Sequence, residues 1–277
     1  MTQKEISLFK EYQIVFFFVL TFFISGIIAI PLLLSIYHII PIKLPGFLTL
    51  IAASGPTIAA VIIVYFSEGR TGITTLLRGE TKWRFNLRWY MLSIFLYPVL
   101  VLLSISIVVL FGSNFPSISE KLPNLLIVFF MITVQAGIGE EIGWRGYVTP
   151  NLQKRYRGLT ACLIVGVIWT VWHLPLFWIP DGLQANMWKE LGFPAAITFY
   201  GIHLTASSII YTWGFNASGK NLLVPIFLHG STNTATWLFS ANEISQFGIM
   251  PLALLTVIEI VLAILILIFT NNLQFRK

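Results

Sequence analysis

Charge is what this chain lacks. Only 10% of its 277 residues are Asp, Glu, Lys or Arg, against 57% hydrophobic, whereas an ordinary soluble domain carries about 25% charged residues. That excludes a soluble globular domain and makes the chain an integral membrane protein. There is one cysteine, Cys162, inside an apolar run, so no internal disulfide framework exists. A small helix- or lipid-facing residue is all that Cys162 needs to be. No basic run with interleaved aromatics stands on a soluble segment, which excludes a nucleic-acid partner. The H-E-x-x-H helix of the common zinc proteases is absent, and no Ser or Cys stands at an evident nucleophile position. Internal repeats, heptads and low-complexity tracts are absent too.

What is there is a succession of apolar runs. A membrane-spanning helix takes about 20 such residues, and eight stretches qualify, at about 14–37, 47–66, 89–111, 125–142, 159–178, 194–215, 222–240 and 248–269. Residues 1–13 are polar, and the run after them is too long for a cleaved signal peptide, so it reads as a signal anchor that becomes the first span. Gly55-Pro56 predicts a kink in the second span. The basic residues test the count. Alternating the loops places fourteen of the seventeen Lys and Arg on one side and only Lys43, Lys121 and Lys189 on the other. The positive-inside rule then sets both termini in the cytoplasm. Between the second and third spans, residues 67–88 mix apolar and basic side chains around Trp83 and Phe85. They read as an amphipathic segment lying on the cytoplasmic leaflet. Residues 181–191 read as a polar external loop. The nine tryptophans fall mostly near span ends, where aromatic belts are expected.

Against this background a few residues do not belong in lipid. Residues 125–139 hold no charge, and Glu140-Glu141 follow at once, with Arg145 four residues on. An acidic side chain costs roughly 2.5–3.5 kcal/mol at the centre of a spanning helix, and less near the interface. His173, His203, His229, Asn233 and Glu259 complete the set. Polar groups in a bilayer turn toward one another. Glu141 and Arg145 are i, i+4 in the favoured order for an ion pair, which makes Glu141 a brace. Glu140 lies about 100° around the helix from it and has no local partner, so it must look across the bundle. For both to face one site a local break is required, and Gly139 and Gly143 offer places for one. Trp169 and His173 share a helix face, as do His229 and Asn233. For His203 the plain reading is a helix-contact histidine, and Glu259 has no assigned role beyond a partner for a basic group.

A carboxylate, two imidazoles and an amide from three helices make a hydrolytic site. Glu140 would act as general base on a water held by His173. His229 and Asn233 would donate to a tetrahedral oxyanion, a contribution of about 2.7–4 kcal/mol per donor. The same Glu140, His173 and His229 have the chemistry of a His₂Glu zinc site, so Zn²⁺ stays open as a cofactor.

These residues carry a resemblance. E-E-x-x-x-R (Glu140, Glu141, Arg145), an aromatic-x-x-x-H (Trp169, His173) and H-x-x-x-N (His229, Asn233), in that order on separate helices, resemble the CAAX prenyl protease and bacteriocin-processing (CPBP, or Abi) family of intramembrane proteases. Trp144-Arg145-Gly146-Tyr147 is similar to its prokaryotic branch. Trp169 departs from the family's usual Phe, an exchange that alters the pocket and not the chemistry. The motifs cover roughly 125–240, and the first three spans match only in hydropathy. The resemblance implies peptide-bond hydrolysis within the membrane, on a membrane-associated peptide or lipidated protein. Glu140 and His173 would activate water, His229 and Asn233 would hold the oxyanion, and Glu141 and Arg145 would support them.

The expected architecture is therefore all-α: one polytopic domain over 1–277, about eight helices around a conical polar site within the membrane, with a catalytic core at 125–240 in the cell membrane. Two other readings compete with a protease. One is a non-catalytic scaffold or bacteriocin self-immunity protein of the same fold. The other is a transporter with a proton path, which the lack of a repeat between halves disfavours.

Overall fold

In hydrocarbon no water is present to bond a free N–H or C=O, so an uninterrupted apolar run satisfies its backbone by forming a helix. The computed structural model describes residues 3–79, 83, 86–112, 114–239 and 248–273, and among them every regular element is helical. Helix α1 is Gln3–Ile36, α2 Leu48–Ala53, α3 Gly55–Thr74 and α4 Leu87–Leu110. A composite rod, Leu122–Gln153, follows. It contains α5 Leu125–Ile132, α6 Gly139–Glu141 and α7 Thr149–Gln153, joined by π-helical turns at Thr133–Ile138 and Ile142–Val148. Then come α8 Gly158–Trp172, α9 Leu183–Leu191, α10 Phe193–Ala217, α11 Leu223–Phe239 and α12 Met250–Phe269.

All eight expected stretches are helical where they are described. Among the described residues six helices are long and apolar enough to cross a membrane: Glu11–Ile36, Leu87–Leu110, Leu122–Gln153, Gly158–Trp178, Phe193–Ala217 and Met250–Phe269. The other two fall short for identifiable reasons. The second stretch is divided at Ser54 into α2 and α3, with Pro56 in the first turn of α3, where its missing N–H costs nothing. The seventh, α11, has 17 described residues and is almost wholly covered by its neighbours, so it need not meet lipid along its length.

Two expectations change. The amphipathic segment after the second span begins as a continuation of α3, with a kink at Gly69, and a π-helical turn at Thr75–Gly79. Lys82, Arg84 and Phe85, which carried much of that expectation, lie outside the described residues. Residues 181–191 are not a loop: α9 folds back on the bundle and buries Gln184, Ala185 and Met187. The Gln184 amide donates to the Tyr200 hydroxyl on α10 at 3.0 Å.

The bundle closes by small-residue contact, the usual means of bringing spans together when lipid is as apolar as the side chains. Gly143 sits directly on Pro56, where an added Cβ would lie 2.4 Å from the proline carbonyl carbon. A Cβ on Gly137 would lie 2.6 Å from the Ile226 carbonyl oxygen. These two approaches clamp the composite rod between α3 and α11. Helix α11 packs on α4 and on the Thr133–Ile138 turn, and α10 packs on α8 and α12. The rod, α8, α10 and α11 thereby converge on one interior space. Outward-facing Val15, Val19, Phe23, Ile27 and Ile30 on α1 are exposed, the lipid-facing stripe of a spanning helix.

Candidate functional site

Glu140 and Glu141 sit in the single α-helical turn between two π-helical ones. The expected break at Gly139 or Gly143 does not occur. Widened turns on both sides set the local register instead, as is common for π-bulges near functional sites. Both glutamates are buried, Glu141 completely, and they diverge.

Glu141 faces away from the interior space. Both of its oxygens lie 2.9 Å from Arg145 Nη1, and Oε1 also accepts from His229 Nδ1 at 2.8 Å. The Arg145 guanidinium is fully buried, with its carbon 4.7 Å above the Trp169 ring and 5.1 Å above that of Tyr211. Sequence spacing found the Arg145 partner. It did not find His229, which comes from a helix 88 residues on.

Glu140 faces inward. Its Oε2 accepts from Trp169 Nε1 at 2.7 Å. The aromatic of the aromatic-x-x-x-H pair is thus a hydrogen-bond donor to the glutamate, something phenylalanine cannot be. One turn later α8 ends at His173, because Pro175 cannot continue it. His173 Nδ1 lies 2.8 Å from the Trp169 carbonyl oxygen. That oxygen only accepts, so Nδ1 carries the proton and Nε2 is left with its lone pair.

Glu140, His173, His229 and Asn233 all line one cavity of about 710 Å³. Tyr200, His203, Ser207 and Tyr211 of α10 line it as well. The remaining wall is mostly apolar, from α1, α2 and α8. Aromatic rings frame the polar end: Trp169 and His229 centroids are 5.4 Å apart, and Trp172 and His173 4.8 Å. Arg145 and Glu141 stand behind this wall. From the sequence His203 reads only as a helix-contact histidine and Tyr200, Ser207 and Tyr211 go unnamed, although the i, i+4, i+8 spacing of His203, Ser207 and Tyr211 is a visible signal.

Charge balance constrains what these groups can do. A buried uncompensated ion costs several kcal/mol, so the group formed by Arg145, Glu141, Glu140 and His229 favours net neutrality. Arg145 and Glu141 cancel. Glu140 and His229 then share one proton between them: either a neutral acid beside a neutral ring, or a carboxylate beside an imidazolium.

A zinc ion was one expectation for Glu140, His173 and His229. The chemistry of the donors suits it, since each imidazole has its Nδ1 held by a carboxylate or carbonyl, as metal-bound histidines do. Their placement does not: among the described residues no three His, Cys, Asp or Glu side chains are set to hold a metal ion.

An all-helical multi-pass membrane protein with one buried glutamate, histidines and an asparagine lining a largely apolar cavity, and a second glutamate braced behind it, is the class that fold and site define. Comparison with known proteins places it further. Residues 122–235 match the family described as Rce1-like, Type II CAAX prenyl endopeptidase, and that segment holds Glu140, His173, His229 and Asn233. CAAX prenyl protease 2 of Methanococcus maripaludis is 28% identical over 153 residues, 52% of this chain and 54% of that protein. The match spans about half the length of each.

Proposed function

We propose that this chain is an intramembrane endopeptidase that hydrolyses a peptide bond in a membrane-associated or lipidated substrate. The observation that carries the reading is the gathering of Glu140, His173, His229 and Asn233 on one cavity, within the segment that matches the Rce1-like family. The name of the Methanococcus relative supports CAAX-type processing as the substrate class.

In the proposed reaction water sits between Glu140 and His173 Nε2, which accepts one of its hydrogens in a bond. Glu140 removes the other as the water oxygen attacks the carbonyl carbon. The carbonyl oxygen takes the negative charge and is met by the Asn233 amide. Glu140 is a base only as a carboxylate, and charge balance then makes His229 an imidazolium. Its Nε2–H becomes the second oxyanion donor, while Glu141 holds its Nδ1–H. When the C–N bond breaks, Glu140 returns its proton to the leaving amine. Arg145 fixes the Glu141 carboxylate and so the orientation of the His229 ring. No step passes through a metal. The loop charges support an orientation with both termini in the cytoplasm, and a cell-membrane location is part of the same proposal.

The test uses pure, detergent-solubilised protein and a farnesyl-cysteine peptide ending in a CAAX sequence. Glu140→Gln retains an oxygen for the Trp169 bond and removes the base. The expected loss is about 10²–10⁴-fold in cleavage rate. Equal cleavage rates for the two proteins would overturn Glu140 as the base, and no cleavage by the wild type would leave a non-catalytic scaffold or immunity protein of this fold.

A further inference from the structure

A second buried polar cluster stands beside the proposed catalytic wall. Glu259 of α12 is completely buried. Its Oε2 lies 2.6 Å from His203 Nδ1, and its Oε1 accepts from Ser207 Oγ at 3.0 Å. The Tyr97 hydroxyl of α4 donates to Ser207 Oγ at 3.3 Å. His203 and Ser207 line the same cavity as Glu140, whereas Glu259 and Tyr97 stand behind them. Three helices therefore build one carboxylate-imidazole pair and turn its histidine toward the cavity.

The same pairing occurs at Glu141 and His229, with a decisive difference. Glu141 has Arg145 beside it. Among the described residues no Lys or Arg pairs with Glu259, and His203 is the ion-pair partner it has. A net-negative pair buried in hydrocarbon is costly, so Glu259 and His203 share one proton more than a carboxylate and a neutral ring would hold. Two arrangements achieve this. The proton lies on His203, giving an imidazolium against a carboxylate, or it lies on Glu259 Oε2 and is donated to Nδ1. In both, His203 Nε2 carries a hydrogen, because Nδ1 is occupied by the bond to Glu259. His173 offers the cavity a lone pair, and His203 offers it an N–H.

We infer that His203 is a substrate-binding residue whose Nε2–H donates to an acceptor oxygen of the bound peptide, a backbone carbonyl or the terminal carboxylate, with Glu259 as the positioning residue that keeps that hydrogen in place. The inference rests on the protease reading for the nature of the ligand. It assigns a binding contact and no bond-making step. Tyr200, between His173 and His203 with ring centroids 5.6 and 6.1 Å from theirs, sets the two polar points apart, so one substrate can engage both.

The test is binding to Glu140→Gln protein, which separates this inference from the catalytic one. The probes are the farnesyl-cysteine CAAX peptide as free acid and as C-terminal amide. In the double variant His203→Phe with Glu259→Leu, which removes donor and carboxylate together, the expected Kd is at least five-fold weaker. If the penalty falls on the free acid alone, the acceptor is the terminal carboxylate, and if it falls on both probes alike, it is an internal carbonyl. In protein retaining Glu140, the same double variant is expected to raise KM with kcat within about two-fold. Should that variant fail to fold, ¹⁵N spectra of histidine-labelled Glu140→Gln protein give the readout: His203 Nε2 is expected to be protonated before peptide is added and to shift on binding. An unchanged Kd, a deprotonated Nε2, or no binding of either probe by protein with His203 intact would overturn the inference. Weakened binding together with a wild type that binds but never cleaves would overturn only the protease reading.

Discussion

Replacing Glu141 with alanine is expected to damage the fold before it damages chemistry. In one step the change removes the acceptor of two groups, Arg145 Nη1 at 2.9 Å from both oxygens and His229 Nδ1 at 2.8 Å. Arg145 is then an uncompensated cation with no exposed surface, and its Nε and Nη2 already lack hydrogen-bond partners among the described residues. The stacking on Trp169 and Tyr211 is present before and after and offsets nothing new. Breaking a buried pair from one side costs about 3–5 kcal/mol. For a chain of this size each kcal/mol moves Tm by about 2–4 °C, so the expected drop is roughly 6–20 °C in detergent. The informative comparison is Glu141→Leu with Arg145→Met. Substituting both partners by apolar groups of similar volume is often neutral, so this double variant should melt within a few degrees of wild type while remaining inactive, because His229 has lost the carboxylate that orients it. Thermal melts followed by tryptophan fluorescence, with cleavage measured on the same samples, decide the matter. If the single variant melts within about 2 °C of wild type, or the double variant melts as low as the single one, the bracing role is wrong.

Three other outcomes follow from the same geometry. Trp169→Phe removes the 2.7 Å bond to Glu140 Oε2 but keeps a ring against Arg145, so cleavage should fall by about 10–100-fold, the equivalent of roughly 1.5–3 kcal/mol for a bond to a charged group; loss no larger than two-fold would mean the indole N–H is idle. Gly143→Ala drives a Cβ to 2.4 Å from the Pro56 backbone, and since backbone cannot swing aside as a side chain can, Tm should fall by several degrees; a melt indistinguishable from wild type would show that α3 and the rod slide apart freely. Dialysis against a chelator, followed by metal analysis, is expected to leave cleavage unchanged; lost activity that zinc restores would make Glu140, His173 and His229 ligands and replace the metal-free route.

Much of the fold was legible because hydropathy is a local property. In hydrocarbon a run of about 20 apolar residues has one way to satisfy its backbone, and each of the eight stretches is helical where described. Two of them do not stand out as spans by length and composition among the described residues, each for a physical reason. One is divided at Ser54, and the α3 that follows runs on into polar sequence with Glu68 and Arg70; the other lies among neighbours that make lipid contact unnecessary. Residues 181–191 were misjudged because Gln184 and Asn186 look like loop composition, while what holds α9 is a bond from Gln184 to Tyr200, a contact that spacing does not reveal. The candidate site was legible in its parts: Glu140, His173, His229 and Asn233 stood out because polar groups in apolar runs are conspicuous. Their partners were not. Trp169 was noticed as an aromatic and missed as a donor, and Tyr200, Ser207 and Tyr211 were hidden among the other residues of α10.

The sequence by itself determined which residues had to be buried, which of them were ionisable, and the one ion pair that a single helix turn can make, Glu141 with Arg145. These follow from composition and from helical periodicity, both of which act over a few residues. The tertiary structure alone decided which imidazole meets which carboxylate. His229 goes to Glu141 and His203 to Glu259 across 88 and 56 residues, and Glu140 is left to face the cavity. That choice depends on how each helix is rotated about its axis, which close contacts such as Gly143 on Pro56 and Gly137 on Ile226 fix. One of the two pairs, Glu141 with His229, has Arg145 beside it, and the other has no Lys or Arg paired with it among the described residues.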